Sequence, residues 1–144
     1  MVNGQTICVF SLSKSDPTFR SVVSVVGAIK WLEGKKEEPH RYFFNEKKPK
    51  NGLPFGSKIL FSFDGLIFGE ATVKEGIKEL SYDAKYKSYL TLDPSSIHIY
   101  RFYPSKEELS ERIGIHFAQL FTYIKVGEYD AIIEIANRPI KVEG

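Results

Sequence analysis

The chain has very little cysteine and no long hydrophobic run. Its single cysteine, Cys8, allows neither an internal disulfide nor a cysteine-based zinc site. No apolar stretch approaches the roughly 18 residues that a membrane-spanning helix needs, so no membrane partner is expected. The opening residues, MVNGQT, lack the charged and apolar regions of an export signal. These absences together predict a cytoplasmic protein.

Motifs for catalysis and cofactor binding are also absent. The sequence contains no GxxxxGKS or GxxxxGKT, no GxGxxG and no GxSxG, and its histidines, His40, His98 and His116, are too scattered for a zincin pair. Cys8 lies in an apolar run, which is typical of a buried structural thiol rather than a nucleophile. We therefore expect no catalytic residue, no metal and no cofactor, and binding is favoured over catalysis.

Positive charge exceeds negative charge only slightly. The formal net charge is +2 and the sequence pI is about 8.5, so any contact with nucleic acid must come from a local basic patch. The 144 residues, of which 42% are hydrophobic, correspond to one domain with a sizeable core. The aromatic content of 14% is typical of sheet-rich packing.

The strongest local pattern is a β-hairpin between residues 56 and 75. Two β-rich runs are joined by Asp64-Gly65, a pair that accepts the positive φ angles of a type I′ turn. The first run is apolar on both faces, which predicts a central strand. Gly69 interrupts the second run and predicts a bulge or a close backbone approach.

The remaining patterns predict a mixed α+β chain of five or six strands and two or three helices. Residues 35–50 form a charged segment with an aromatic centre, predicted as a loop, and residues 115–124 are ambiguous between strand and loop. Trp31 lies off the apolar stripe of its predicted helix. The other predicted strands are 6–12, 86–92 and 97–103, and the predicted helices are 17–33, 106–112 and 128–136.

This order of elements resembles the PUA-like superfamily, in particular its EVE domains and, as a second choice, its ASCH domains. The hairpin carries the family's pattern of glycines and alternating apolar residues at Gly56, Ile59, Phe61, Gly69 and Val73. Near the C-terminus, His116-Phe117 and Glu128-Tyr129-Asp130 are similar to the ending of EVE domains. The resemblance implies a PUA-like small mixed β-barrel with flanking helices, formed as a single domain by residues 1–144.

The resemblance also implies a ligand cleft. It would lie between the end of the first strand, the loop after the first helix and the His-Phe segment. Aromatic residues there can stack on a base, polar residues can bond its edge, and cations can contact phosphates. The expected ligand-binding residues are Ser11, Ser13, Tyr42, Phe43, Phe44, Asn45, His116, Phe117 and Gln119. Those expected on the nucleic-acid backbone are Arg41, Lys47, Lys48 and Lys50.

The same residues have plainer interpretations. Three consecutive aromatic residues are typical of a strand that packs a core, and neighbouring lysines are typical of a solvated loop. His116 is also compatible with a hydrogen-bonded histidine, and Trp31 with a residue that covers the barrel edge.

The function predicted first is a nucleic-acid-binding domain that recognises a modified or flipped base in an aromatic pocket. The alternative is a small ASCH-like hydrolase of nucleosides or RNA, with Lys35 or Lys36 acting beside a carboxylate such as Glu70. A third possibility is a protein-interaction module that uses Trp31 and the valine-rich first helix. The choice between DNA and RNA, the base modification, any partner enzyme and the oligomeric state stay open.

Overall fold

The structure is a computed structural model of the chain and describes residues 5–13, 19, 22, 24–45, 47–80 and 86–138. It is an α+β fold of one mixed sheet with helices on both faces. The strands are β1 (Ile7–Leu12), β2 (Arg41–Phe44), β3 (Lys58–Phe63), β4 (Leu66–Glu79), β5 (Ser88–Leu92), β6 (His98–Ile99) and β7 (Phe121–Ile124). The helices are α1 (Val25–Gly34), α2 (Lys106–Ile113) and α3 (Val126–Ala136).

The sheet is open but strongly curled. Its strand order is β2-β5-β4-β3-β1-β7, with β6 paired to β4. The pair β1–β3 is parallel, whereas the other pairings of the described strands are antiparallel. The 14-residue β4 belongs to both halves of the sheet, because it pairs first with β3 and then with β5. The two outermost strands, β2 and β7, come close enough for their side chains to meet, since the ring centres of Phe44 and Phe121 lie 6.0 Å apart.

The predicted hairpin and its central strand are confirmed. Asp64 and Gly65 have φ angles of 53° and 79°, the positive values that a type I′ turn needs. Gly69 lies where the β3–β4 register shifts, and a Cβ atom there would lie 2.8 Å from the carbonyl oxygen of His98. The glycine is therefore required by the close approach of β6 to β4.

Alternate residues of the central strands fill two separate cores. Phe10 and Phe61 face an aromatic core covered by α1, whereas Val9 and Leu60 face a second, smaller core under α2 and α3. Cys8 is fully buried in the aromatic core, and burial raises the pKa of its thiol to about 12. The predicted burial of this thiol is confirmed.

Two strand predictions need correction, and the sheet has seven strands rather than five or six. The segment predicted as a charged loop contains β2, because burial of Tyr42 and Phe44 gives it the alternation of a strand. The predicted strand 97–103 shrinks to His98–Ile99. Beyond them the chain turns so that the hydroxyl group of Tyr100 donates to Glu70 at 2.9 Å.

The helix predictions hold near the C-terminus and less well at the start. Helices α2 and α3 lie where predicted, and the Ser105 hydroxyl caps α2 by accepting from the backbone N–H of Glu108 at 3.0 Å. Helix α1 begins at Val25 rather than at residue 17. Phe19 is buried against Trp31 before the helix starts, and much of 14–23 lies outside the described residues. In the part of the chain that the structure describes, no helix has the length and apolarity to span a membrane.

Candidate functional site

Strands β1 and β3 run in the same direction and end side by side. Ser11 pairs with Ser62, Leu12 pairs with Phe63, and the hairpin turn follows at Asp64. In open sheets, ligands bind in the crevice outside the carboxyl ends of parallel strands. A cleft of about 360 Å³ lies at this place, within the size range of roughly 300–1,000 Å³ that small-ligand sites occupy. Its lining residues are Ser11, Leu12, Ser13, Phe63, Asp64 and Gln119.

The lining combines an apolar floor with a polar rim. Leu12 and Phe63 are 7% and 2% exposed, so they form the floor. Asp64 and Gln119 are exposed and bring a carboxylate and a carboxamide to the rim, while the hydroxyl of Ser11 is partly exposed. A planar heterocycle with donors and acceptors along its edge has the chemistry that such a lining binds.

A lysine from α2 lies beside the cleft. The Nζ atom of Lys106 donates to the Ser11 hydroxyl group and lies 5.5 Å from the centre of the Phe117 ring. Among the described residues, no carboxylate lies within ion-pairing distance of this ammonium group. Burial lowers the pKa of Lys106. Within the described ranges, the partly buried cation beside the cleft thus has no ion-pairing partner, which suits it to bind an anionic group.

Backbone hydrogen bonds hold Lys106 and the segment before β7 against the cleft. The N–H of Lys106 donates to the carbonyl of Gly65 at 2.9 Å, so the hairpin turn positions the first turn of α2. The N–H of Ser11 donates to the carbonyl of Leu120 at 2.8 Å. The cleft is thus assembled from the hairpin, the first strand and the segment before β7, which are distant in sequence.

The structure distributes the predicted ligand-binding residues over three places. Ser11, Ser13 and Gln119 line the cleft. The Phe117 ring lies 5.5 Å from the Nζ atom of Lys106, which contacts the cleft residue Ser11. His116, which precedes Phe117, is exposed.

The predicted aromatic residues of β2 are not brought to the cleft. Tyr42 and Phe44 are buried, and their rings lie 5.0 and 5.8 Å from that of Phe10. The interior of the curled sheet is thus filled by the protein's own side chains. Phe43 points to the opposite side of β2, and Asn45 follows the strand.

The predicted phosphate-binding residues also lie elsewhere. Arg41 stacks on Tyr89, with its guanidinium carbon 4.1 Å from the ring centre. Lys48 forms an ion pair with Glu79 at the far end of β4. Lys47 and Lys50 are exposed residues of the loop that follows β2. None of these four residues belongs to the cleft lining, and the cation that contacts a lining residue is Lys106, through Ser11.

Glu70 forms a second polar cluster, under α3. Its Oε2 atom accepts from Lys58 at 2.6 Å, and its Oε1 atom accepts from the hydroxyl groups of Tyr100 and Tyr129 at 2.9 and 2.8 Å. Burial and the Glu70 carboxylate raise the pKa of both tyrosines. The carboxylate is 7% exposed. With these three partners, Glu70 fixes β3, α3 and the segment after β6 to one another.

This cluster keeps Glu70 apart from the two lysines that the hydrolase alternative names. Glu70 lies on the face of the sheet that packs against α3, because its register partner is Leu60. Lys35 lies on the other face, 5.2 Å from the Trp31 ring, and Lys36 is exposed. The structure therefore does not bring Lys35 or Lys36 to Glu70. The described residues also contain no group of three His, Cys, Asp or Glu side chains placed to hold a metal.

Sequence reasoning missed Lys106, Phe63 and Asp64 as parts of the site. Asp64 was explained by the turn, and Lys106 was assigned only to a helix. The signal that would have found them is the parallel pairing of β1 with β3, which places the ends of the two strands together. That pairing joins segments about 50 residues apart in sequence, and the hydrophobic pattern does not specify it.

Comparison with known proteins identifies the fold. No protein-family model and no curated protein sequence matches the chain. Solved structures that resemble it include an ASCH protein from Zymomonas mobilis, with a TM-score of 0.60 and 14% identity, over 91% of this chain and 96% of that one. The chain therefore shares its fold with this ASCH protein, one of the two kinds of domain that its sequence resembles.

Two further similar structures hold modified nucleic acid. Human THYN1, in complex with 5-methylcytosine-containing DNA, aligns with a TM-score of 0.58 and 8% identity over 94% of this chain and 100% of that one. The YTH domain of Zygosaccharomyces rouxii MRB1, in complex with N6-methyladenosine RNA, aligns with a TM-score of 0.50 and 15% identity over 94% and 89%. At these identities the comparisons establish the fold alone.

Proposed function

We propose that this chain binds nucleic acid and takes one unpaired or flipped base, including a modified base, into the cleft at the ends of β1 and β3. The observation that carries the proposal is the cleft itself, with an apolar floor and a polar rim. Beside it lies the ammonium group of Lys106, which forms no ion pair with any residue that the structure describes. Two proteins of the same fold hold methylated bases in their complexes, which supports this choice of ligand.

The lining suggests how a base would be held. Its ring would lie over Leu12 and Phe63, and its edge would exchange hydrogen bonds with Ser11 and Gln119. The phosphate group of the same nucleotide would pair with Lys106, which has no competing carboxylate among the described residues. Extruding a base costs a few kcal/mol and least for an already single-stranded one, so single strands should bind better than duplexes.

Polarisation titrations test the proposal directly. The ligands are short DNA strands with and without one 5-methylcytosine and short RNA strands with and without one N6-methyladenosine, each at two salt concentrations. We expect binding that weakens with salt, since cations contact phosphates, and a preference for one modified strand over its unmodified partner. Absence of binding to all four strands at low salt would overturn the proposal.

A glutamine pair provides the matched control. Gln119 lines the cleft, whereas the only other glutamine, Gln5, precedes β1 and donates to the carbonyl of Gly56 at 3.3 Å. Gln119→Ala should reduce the preference for the modified strand about tenfold, since a base edge loses its partner. Gln5→Ala should leave that preference unchanged. Equal behaviour of the two variants would place base recognition outside the cleft.

A further inference from the structure

A second surface lies on the outer side of β2 and β5, on the half of the sheet away from the cleft. Its members are partly exposed and each bears a ring or a cation. They are Arg41, Phe43, Tyr86 and Tyr89, together with Lys35, which follows α1 and reaches the Phe43 ring at the edge strand β2. We name these five residues the cation–aromatic face.

The strand register creates this face. Tyr42 is opposite Leu90 and both are buried, so the next pair, Phe43 opposite Tyr89, must point outward. Strand β2 is the edge of the sheet, and no further strand of the order covers it. The outward direction of Phe43 and Tyr89 thus follows from the packing of the aromatic core on the other side.

Three rings lie next to one another on the face. The ring centre of Phe43 is 5.3 Å from that of Tyr86 and 6.2 Å from that of Tyr89. Rings carried side by side on the solvent face of a sheet are the arrangement on which single-stranded nucleic acids stack successive bases. Stacking requires only a π-face, so such a platform tolerates any sequence.

The cations of the face contact rings rather than carboxylates. Arg41 lies over Tyr89 at 4.1 Å, and the Nζ atom of Lys35 lies 5.2 Å from the Trp31 ring and 5.8 Å from the Phe43 ring. In the described part of the chain neither of them forms an ion pair. The Glu75 carboxylate of β4 interacts electrostatically with Arg41, but its ion pair, at 2.9 Å, is with Lys78. Both cations next to the three rings therefore stay available for phosphate contacts.

We propose that the cation–aromatic face binds single-stranded nucleic acid without sequence preference, its rings stacking on bases and Lys35 and Arg41 contacting phosphates. The proposal rests on the proposed function only for the class of ligand, because the face and the cleft share no residue. An acidic peptide would meet the two cations but leave the row of rings without a stacking partner. The structure thus favours a nucleic acid strand.

Titration with an unmodified thymine homopolymer of about 20 nucleotides tests the face separately from the cleft. Tyr89→Ala should weaken its binding about tenfold, because one stacking ring is lost. Tyr89→Phe keeps the ring and should bind like the wild type. Arg41→Gln should lower the slope of log affinity against log salt by about 0.7, the value for one phosphate contact of a single strand.

Two exposed residues away from the face serve as controls. Phe55 is 81% exposed, and Arg112 is an exposed residue of α2 whose guanidinium lies 3.5 Å from the Glu108 carboxylate. Phe55→Ala and Arg112→Gln should leave homopolymer binding unchanged. Thermal melting of every variant shows that it is folded. If Tyr89→Ala and Arg41→Gln bind the homopolymer as Phe55→Ala and Arg112→Gln do, the proposal is overturned.

The two proposals fail in distinguishable ways. Loss of the cleft function alone would leave homopolymer binding sensitive to Tyr89→Ala while no modified strand is preferred. Loss of the face alone would leave the modified-strand preference intact and sensitive to Gln119→Ala.

Ultraviolet crosslinking of the homopolymer followed by peptide mapping should recover peptides that contain Phe43 or Tyr89. Crosslinks confined to other peptides would contradict binding at the cation–aromatic face. Competition by polyglutamate as strong as by the homopolymer would also overturn it, in favour of an acidic protein partner.

Discussion

Two partly buried lysines on the same side of the sheet have opposite surroundings. Lys58 lies at the start of β3, and its Nζ atom is 2.6 Å from Glu70 and 5.3 Å from the Tyr129 ring. Lys106 lies at the other end of the parallel pair, where its ammonium group contacts the Ser11 hydroxyl group and the Phe117 ring. One charge has a carboxylate partner and the other has only neutral partners.

The difference separates a structural charge from one available for binding. Removing a cation from water costs free energy, which an opposite charge with good hydrogen bonds can offset. Glu70 supplies this opposite charge to Lys58, and both of its carboxylate oxygens accept hydrogen bonds from protein groups. Around Lys106 no described carboxylate lies within ion-pairing distance, so a ligand phosphate group could pair with it.

The largest effect should come from removing the shared acceptor of the structural cluster. Glu70→Ala leaves Lys58 and two tyrosine hydroxyl groups without their partner, and breaking a buried pair in this way costs about 3 kcal/mol. Urea denaturation followed by circular dichroism measures the loss.

An exposed ion pair provides the control for that variant. Glu75 pairs with Lys78 at 2.9 Å, and both side chains are at least half exposed. Glu75→Ala should change the free energy of unfolding by less than about 1 kcal/mol. If Glu70→Ala costs no more than Glu75→Ala, Glu70 does not hold the sheet to α3, and the contrast between the two lysines disappears.

The contrast also shows which parts of the fold a sequence can predict. Local patterns predicted the Asp64-Gly65 turn and the Ser105 cap, because a turn and a helix start depend on residues within four positions of one another. The contact of Lys106 with Ser11 joins residues 95 positions apart. Hydrophobic periodicity predicts that a residue is buried, but it does not predict which distant strand that residue contacts.

Strand β2 illustrates the same limit at short range. Its four residues are all aromatic or basic, and charged residues flank them, so the alternation of a strand is too short to recognise. Only its pairing with β5 shows that Tyr42 and Phe44 belong to the core while Arg41 and Phe43 face outward. The candidate cleft and the cation–aromatic face both depend on such non-local pairings.

A smaller change removes one hydrogen bond of the Glu70 cluster and keeps its charged groups. Tyr129→Phe deletes one hydrogen bond to Glu70, which is 2.8 Å long, and leaves Lys58 and Tyr100 in place. Loss of a hydrogen bond to a charged group costs about 1.5 kcal/mol. The free energy of unfolding should fall by that amount in urea titrations, while nucleic-acid binding stays unchanged. A loss as large as that of Glu70→Ala would mean that the ring's packing, rather than its hydroxyl group, stabilises α3.

The corresponding change at the cleft should weaken binding without lowering stability. Lys106→Met keeps an unbranched apolar side chain beside Ser11 and Phe117 and removes the charge. Affinity for a short strand should fall about fivefold at low salt, and the salt slope should fall by about 0.7, since one phosphate contact is lost. Lys30→Met, at an exposed position of α1, is the control. Equal affinities of the two variants would remove Lys106 from the binding site.

The smallest expected effect is the pH dependence of stability that Lys106 contributes. Its pKa is lowered by burial in the folded protein, whereas in the unfolded chain it stays near 10.5. Between these two values the unfolded chain binds more protons, so the free energy of unfolding rises with pH. Below that window Lys106→Met should be at least as stable as the wild type, because the cost of the partly buried charge is gone. The difference should be less than about 1 kcal/mol and should shrink as the pH approaches 10.5. Urea titrations of both proteins across this pH range measure it, and a constant difference would show that burial does not lower the pKa of Lys106.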